Sequence, residues 1–410
     1  MHMKKIMLAV VGLAAVAGGS ARAAGIAVDL HSARAVGMAG AVAGFIDDAS
    51  AIYFNPAGIA QGQGLEFMIG GTPIIPTFKV TPQIPGGANN NEITGVTNII
   101  PPPHVYFTYG ISDEWTVGIG VYSPYGLKVQ WPDAWHPIGR TIITEANFQT
   151  FDISPTVAYK NGPLRIGIGL QIVRATVQLQ KDIGPLGDPN TYAHANLGAG
   201  TWGWGGNLGV QYEVIAKTLQ LGAFYRSQVK LDFTGSAAFT NVPPQFGSTL
   251  VDQPVTTTLT LPNNIGFGIA YHPMPELVLD ADFMYTSWQQ FTAIAINFQN
   301  PALNTYEPKQ WHHTWNYRVG AEYTLNEHVQ LRGGLLFDQT PSPTYTLLPD
   351  IPDADRLNVA LGATYRWGAF RIDGGFQYIF FFGQTSNSPS FPASYSAGAY
   401  VLSLTFGFKI

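Results

Sequence analysis

No cysteine occurs in the 410 residues. That excludes a disulfide scaffold, a thiolate metal site and a cysteine nucleophile. It also suits a chain that crosses an oxidising compartment without mispairing. Charge is scarce: Lys and Arg number 21 and Asp and Glu 26, together 11% of the chain, against roughly 25% in an average soluble protein. The net charge of -5 gives no basic field, so no nucleic-acid partner is expected. Past Gly18 there is no apolar run of the about 20 residues that a spanning helix needs. No G-x-S-x-G, H-E-x-x-H or P-loop occurs, so no catalytic residue, cofactor or nucleotide site is expected. Gly198 to Gly203 spells G-x-G-x-x-G, but no helical pattern follows it. No metal site is expected either. His312 and His313 would point to opposite faces of a strand, and Asp350, Asp353 and Asp355 read as a solvated outer loop. What fills the place of charge is glycine (46 residues) and aromatics (13%). That composition is too aromatic for a disordered chain.

The first residues read as an address. Lys4 and Lys5 precede the apolar stretch Ile6 to Gly18, and Ala21-Arg22-Ala23 fits a small-x-small cleavage site. Residues 1–23 are therefore predicted to be a signal peptide, with Ala24 as the mature start.

Beyond it the recurring pattern has period two, the strand signature. Tyr400, Leu402, Leu404, Phe406, Phe408 and Ile410 alternate with Val401, Ser403, Thr405, Gly407 and Lys409. Leu277, Leu279, Ala281, Phe283 and Tyr285 likewise oppose Asp280 and Asp282. The polar face carries mostly Gly, Ser, Thr, Asn and Gln, and the apolar face begins or ends in aromatics. This is the mark of a transmembrane barrel with a lipid-facing band and aromatic girdles. The barrel must close, because an open edge in hydrocarbon leaves backbone groups unpaired. The pattern predicts an all-β fold: an antiparallel barrel of about fourteen strands over residues 64–410. Short turns are expected at 111–114, 160–163, 214–217, 272–275, 325–327 and 368. Long Pro/Asn-rich loops alternate with them, as in outer-membrane barrels.

Residues 24–63 do not alternate. They are rich in small residues and apolar enough to need burial, so they are expected to form a plug, or hatch, in the lumen rather than a tail. Asp47 or Asp48 is placed to cap a short helix at about 49–54, which Asn55-Pro56 would end.

This segment carries a resemblance. Ala24-Gly25, Arg34-Ala35, Gly37, Ala39-Gly40, Asp47-Asp48-Ala49-Ser50 and Asn55-Pro56-Ala57-Gly58, with Val121 to Leu127 further on, resemble the FadL/TodX family. Those are outer-membrane transporters of long-chain fatty acids and other hydrophobic compounds. The resemblance implies a fourteen-stranded barrel with an N-terminal hatch, in the outer membrane of a Gram-negative bacterium. It also implies that the third strand bends inward and opens a gap in the wall at Pro124, Tyr125 and Gly126. Local sequence alone allows a rim edge or a bulge there equally well. The family further implies that Asn55, Pro56 and Ala57 sit near that gap, with Asn55 bonding backbone freed by the bend. The chain ends in Phe408-Lys409-Ile410, without the terminal aromatic common in outer-membrane proteins.

Basic residues assigned to the lumen face are Arg174, Lys181, Arg226, Arg318 and Arg332. Any one of them is a candidate to pair with a fatty-acid carboxylate. The alternative for each is a wall-to-wall salt bridge with Asp280, Asp282 or Glu322. The expected partners are a hydrophobic small molecule (a fatty acid, alkane or aromatic hydrocarbon), outer-membrane lipid and lipopolysaccharide, and the barrel-assembly machinery, around a monomer. The rival functions are a general aqueous porin, an outer-membrane lipid hydrolase and a structural or adhesive barrel.

Overall fold

The computed structural model describes residues 25–61, 64–86 and 90–410. The expected signal peptide lies outside the described residues. Among those described, one 22-stranded sheet forms. Eight pairs of strand segments join end to end, so the chain makes fourteen passes. The first pass combines β1 (Leu65–Gly71) and β2 (Ile74–Pro82), the second β3 (Ile93–Thr94) and β4 (Pro103–Gly110), the third β5 (Trp115–Tyr122) and β6 (Gly126–Gln130). Then come β7 (Glu145–Asn161), β8 (Leu164–Ile183) and β9 (Ala193–Ile215), each one pass. The seventh pass joins β10 (Leu219–Arg226) to β11 (Val229–Thr240), the eighth β12 (Gln253–Leu261) to β13 (Asn264–Met274), the ninth β14 (Leu277–Thr286) to β15 (Ala293–Phe298). The tenth joins β16 (Thr305–Pro308) to β17 (Thr314–Thr324). The last four passes are β18 (Val329–Asp338), β19 (Arg356–Trp367), β20 (Phe370–Phe381) with β21 (Gln384–Ser386), and β22 (Ala393–Lys409).

The barrel closes where β22 pairs antiparallel with β1, from Glu66↔Lys409 to Gly71↔Leu404, and continues along β2. Along this seam closure leaves no edge to bear unpaired backbone groups in the hydrocarbon. The alternation on β22 is as its sequence requires. Leu402, Leu404 and Phe406 are exposed, while Ser403 and Thr405 are buried. At the short-turn end Trp367 stacks on Phe370 with centroids 5.9 Å apart, and Phe408 lies tilted against Phe370 at 5.0 Å. About 9–11 tilted residues cross a membrane. The 20 residues of β8 and 23 of β9 therefore project well beyond it. Gly198 to Gly203 lie inside β9, in extended backbone.

Residues 25–61 run inside this cylinder. A five-residue helix, Ala33–Gly37, is capped by Ser32, whose hydroxyl accepts from the Ala35 N–H at 3.2 Å. A second helix, Ala51–Phe54, ends at Asn55, which is extended ahead of Pro56. Asp48 does not cap that helix itself; its carboxylate accepts from the Ser50 N–H one step earlier.

The polar inner faces exist to satisfy this segment, because a buried backbone group without a partner costs about 1–3 kcal/mol. Asp282 accepts from the Val42 and Ala43 N–H groups, both at 2.8 Å, and Asp280 from Phe45 at 2.9 Å. Thr405 accepts from Ala33, and Gln61 donates to Gln211. Arg34 holds Glu322 through two nitrogens and also reaches Asp47 and Asp48. Arg332 binds the same Glu322 in a wall-to-wall salt bridge. At Gly222 the segment presses on the wall itself: a Cβ there would lie 1.9 Å from the Ala43 carbonyl oxygen.

Candidate functional site

The third pass breaks at its middle. The ladder with β4 runs from Gly110↔Thr116 to Val105↔Val121 and stops. Pro124 has no N–H to continue it. Past the break, β6 pairs with β7 from Gly126↔Gln149 to Gln130↔Glu145. Contact with the second pass resumes where the Val96 N–H meets the Gln130 carbonyl at 2.7 Å.

The start of the N-terminal segment occupies the edge left free. Val28 N–H donates to the Pro124 carbonyl at 2.9 Å and Gly126 N–H to the Ile26 carbonyl at 3.0 Å. Ala27 and Tyr125 form the bridge between them. Tyr125 is buried; its N–H donates to the Thr150 hydroxyl at 3.0 Å and its own hydroxyl accepts from Asn264 at 3.1 Å.

On the facing edge stand Pro101 and Pro103, which also carry no N–H; Pro102 between them turns to the first pass, its carbonyl accepting from the Thr72 N–H at 3.0 Å. An interrupted wall is tolerable where its edges have few donors to leave unpaired. Prolines entering a strand are a signal of an unpaired edge that the sequence itself carries, and no expectation above draws on it.

Between the segment and the wall lies a cavity of about 590 Å³, within the range of small-molecule sites. Its inner lining includes Val28, Asp29, Gly40, Arg318, Leu336, Asp338, Asn358 and Gln377. Its other boundary is the interruption itself: Asn98 to Pro103 on one side, Ser123 and Gly126 to Lys128 on the other. Ile99 and Phe151, both exposed on the outer face, line it too. The cavity therefore reaches from the interior to the lipid-facing side. A smaller apolar pocket of about 90 Å³, with Ile26, Phe233, Leu259, Phe291 and Ile294, shares Leu127, Phe148 and Ile351 with it.

Of the assigned residues, Pro124, Tyr125 and Gly126 form the break, and Gly126 lines the cavity. Arg318 lines it as well, with its guanidinium on Asp29 (2.5 Å), the Gly40 carbonyl (3.2 Å) and Asn316 (3.0 Å). Arg226 is engaged elsewhere. It donates to the Tyr53 carbonyl at 2.6 Å and lies 4.0 Å from that ring's centroid. The adjoining space is about 30 Å³, enough for a water. Lys181 is half-buried near the end of β8 and lines neither cavity.

Two assignments are corrected. Arg174 faces outward, not into the lumen. Val173 and Ala175 are the buried neighbours, and the guanidinium sits 5.6 Å from the ring of Trp202, which is 54% exposed. Asn55, Pro56 and Ala57 do not line the gap. Asn55 donates to the Val210 carbonyl at 3.2 Å and to Ala43 at 3.1 Å. Val210 belongs to regular ladders on both sides, with Ile166 and Ala223. Asn55 therefore fastens the segment to an intact wall, and Pro56 packs on Gly167 of β8.

The outer loop holding Asp350, Asp353 and Asp355 is not solvated either: all three are buried. Asp350 binds Lys309 at 2.7 and 2.8 Å. Asp353 accepts from the Thr340 hydroxyl at 2.5 Å and the Gly25 N–H at 3.3 Å. Among the described residues no acidic or histidine cluster fits a metal ion. Burial pushes the Asp353 carboxyl up to about 7, against the pull of Arg356 and the Thr340 hydroxyl. Its folded value thus exceeds its unfolded one. The stability it contributes is full below about pH 4 and is lost as pH rises through 7. The loop at 339–355 is expected to exchange amide hydrogens faster at pH 8 than at pH 5, after correction for intrinsic rates. Asp353→Asn should remove most of that difference; an unchanged difference would assign it to another group.

Comparison with known proteins agrees with this geometry. Residues 14–409 match the family model described as outer membrane protein transport protein (OMPP1/FadL/TodX). The long-chain fatty acid transport protein of Escherichia coli O6:H1 is 26% identical over 385 residues, covering 84% of this chain and 83% of that one. A Pseudomonas aeruginosa FadL homologue superposes with a TM-score of 0.84 at 19% identity, covering 94% of this chain and all of the other. The P. putida toluene transporter TodX does so with a TM-score of 0.75 at 17% identity, covering 93% and 98%. These two share the fold. A barrel closed on itself, a break in its third pass and a family match along nearly the whole length lead to one conclusion: the chain belongs to the OMPP1/FadL/TodX family of outer-membrane transport proteins.

Proposed function

We propose that this chain takes up hydrophobic molecules by passive diffusion, holds them in the 590 Å³ cavity and releases them sideways into the bilayer through the break in the third pass. The single observation that carries this reading is the cavity's continuity from the interior to the lipid-facing side between Asn98–Pro103 and Ser123–Lys128. A lateral route suits the cargo. Each CH₂ moved into water forfeits about 0.8 kcal/mol, and a path from an apolar pocket into lipid avoids that loss. Residues 25–61 act as the hatch that closes the lumen against water and ions. Ligand shifts the hatch through its differing affinity for the two arrangements. The relatives fit this cargo, being named for long-chain fatty acids and for toluene. No catalytic step is involved, and one chain suffices because the barrel closes on itself.

Bacteria expressing the chain should accumulate a labelled hydrophobe severalfold faster than cells with the empty vector. The purified protein should conduct ions far less than an open porin. Fast ion conductance without accelerated accumulation would make the chain an aqueous pore instead.

A further inference from the structure

The charges around the cavity decide between classes of hydrophobic cargo. Among the described residues, three cationic side chains line it: Lys128, Arg318 and Arg356. Each already holds a carboxylate. Lys128 pairs with Glu145, Arg318 with Asp29 at 2.5 Å, and Arg356 with Asp338 at 2.9 and 3.1 Å. Asp29 is held below the usual carboxylate range: burial acts against its charge, but Arg318 and the Tyr53 hydroxyl outweigh it. A further buried carboxyl, Asp353, lines the same space and takes its hydrogen bonds from Thr340 and Gly25. An incoming carboxylate would thus meet no unmatched cation among the described residues. It would lose its hydration and displace an internal partner, and a buried charge without a partner is strongly unfavourable.

A neutral donor meets the opposite situation. Asn358 is 3% exposed and lines the cavity, and its Oδ1 atom has no hydrogen-bond partner among the described residues. An acceptor buried in this way is unfavourable until a donor reaches it. A hydroxyl supplies that donor; an ionised carboxylate has none.

Building on the transport reading above, we propose that the cavity selects uncharged hydrophobic molecules bearing a hydroxyl, of the long-chain alcohol or alkylphenol type, over fatty-acid carboxylates. The test uses the detergent-purified full chain and two radiolabelled probes that differ only in the head group, 1-dodecanol and laurate, at pH 8. Dodecanol is expected to bind at least tenfold more tightly. Asp338→Asn strips Arg356 of its partner and should tighten laurate about tenfold, because the ligand then replaces the missing carboxylate. Asp29→Asn does the same for Arg318 and serves if the first variant fails to fold, judged by heat-modifiable gel mobility. Laurate binding equal to or tighter than dodecanol in the unaltered chain overturns the selectivity while leaving transport intact. Laurate still excluded by both folded variants overturns the charge-matching argument. Binding of neither probe by the folded chain overturns the transport reading itself.

Discussion

Uptake should fall to the level of cells lacking the protein when both edges of the third-pass break are made regular. The combined substitutions are Pro124→Thr, Tyr125→Val and Gly126→Thr on one edge and Pro101→Thr and Pro103→Val on the other. Both edges matter because each lacks donors. With Pro124 alone replaced, the facing prolines still offer no N–H groups, and the ladder that stops at Val105↔Val121 has nothing to extend onto. With all five changed, the two passes can pair up to Val96 and Gln130, where a backbone bond already exists. Every added rung removes unpaired backbone groups from the hydrocarbon, which favours closure. The start of the N-terminal segment then loses its place on Pro124 and Gly126. Accumulation of a labelled hydrophobe measures the effect, and heat-modifiable mobility confirms that the barrel has formed. Full uptake by a folded, sealed variant would rule out the sideways route.

The outward face of this barrel was legible because lipid imposes a rule on every second residue. Leu402, Leu404 and Phe406 show it, and four of the six short turns carry Gly, Asn or Asp where the alternation breaks. The inward face obeys no such local rule. Arg34 meets Glu322 from 288 positions away, and nothing near either residue announces the other. For the same reason Arg318 could be placed in the lumen while its partner, Asp29, could not be named. Arg174, expected on the lumen face, lies outward instead. At the projecting end of β8 the strand leaves the hydrocarbon, and an outward guanidinium lying on Trp202 is stable there. The buried aspartates of the loop at 339–355 were missed because loops ordinarily run over the surface. This one folds into the mouth of the barrel, where Lys309, Thr340 and Gly25 receive its carboxylates.

Gly222→Val should open the lumen without unfolding the wall. The position is inward on β10, and a Cβ there would lie 1.9 Å from the Ala43 carbonyl oxygen and 2.8 Å from its carbon. Across the ladder Gly268 is equally tight, with the Gly44 amide nitrogen 2.1 Å from its own Cβ position. Backbone stands on both sides of the contact, so no side chain can swing away. Either the ladder or the segment must move. β10 is held by two full ladders, to β9 and β13. The segment at Val42 to Phe45 is held chiefly by three N–H bonds to Asp282 and Asp280. Those bonds are the weaker restraint beside two full ladders, and the overlap that a Cβ creates must be relieved on one side of the contact or the other. The variant should keep the heat-modifiable mobility of a closed barrel, yet conduct ions several times better than the parent in planar bilayers. A protease added from either side should cleave residues 42–45 in the variant and spare them in the parent. Parental conductance together with protected residues 42–45 would show that the wall yields instead, and that this contact does not hold the lumen shut.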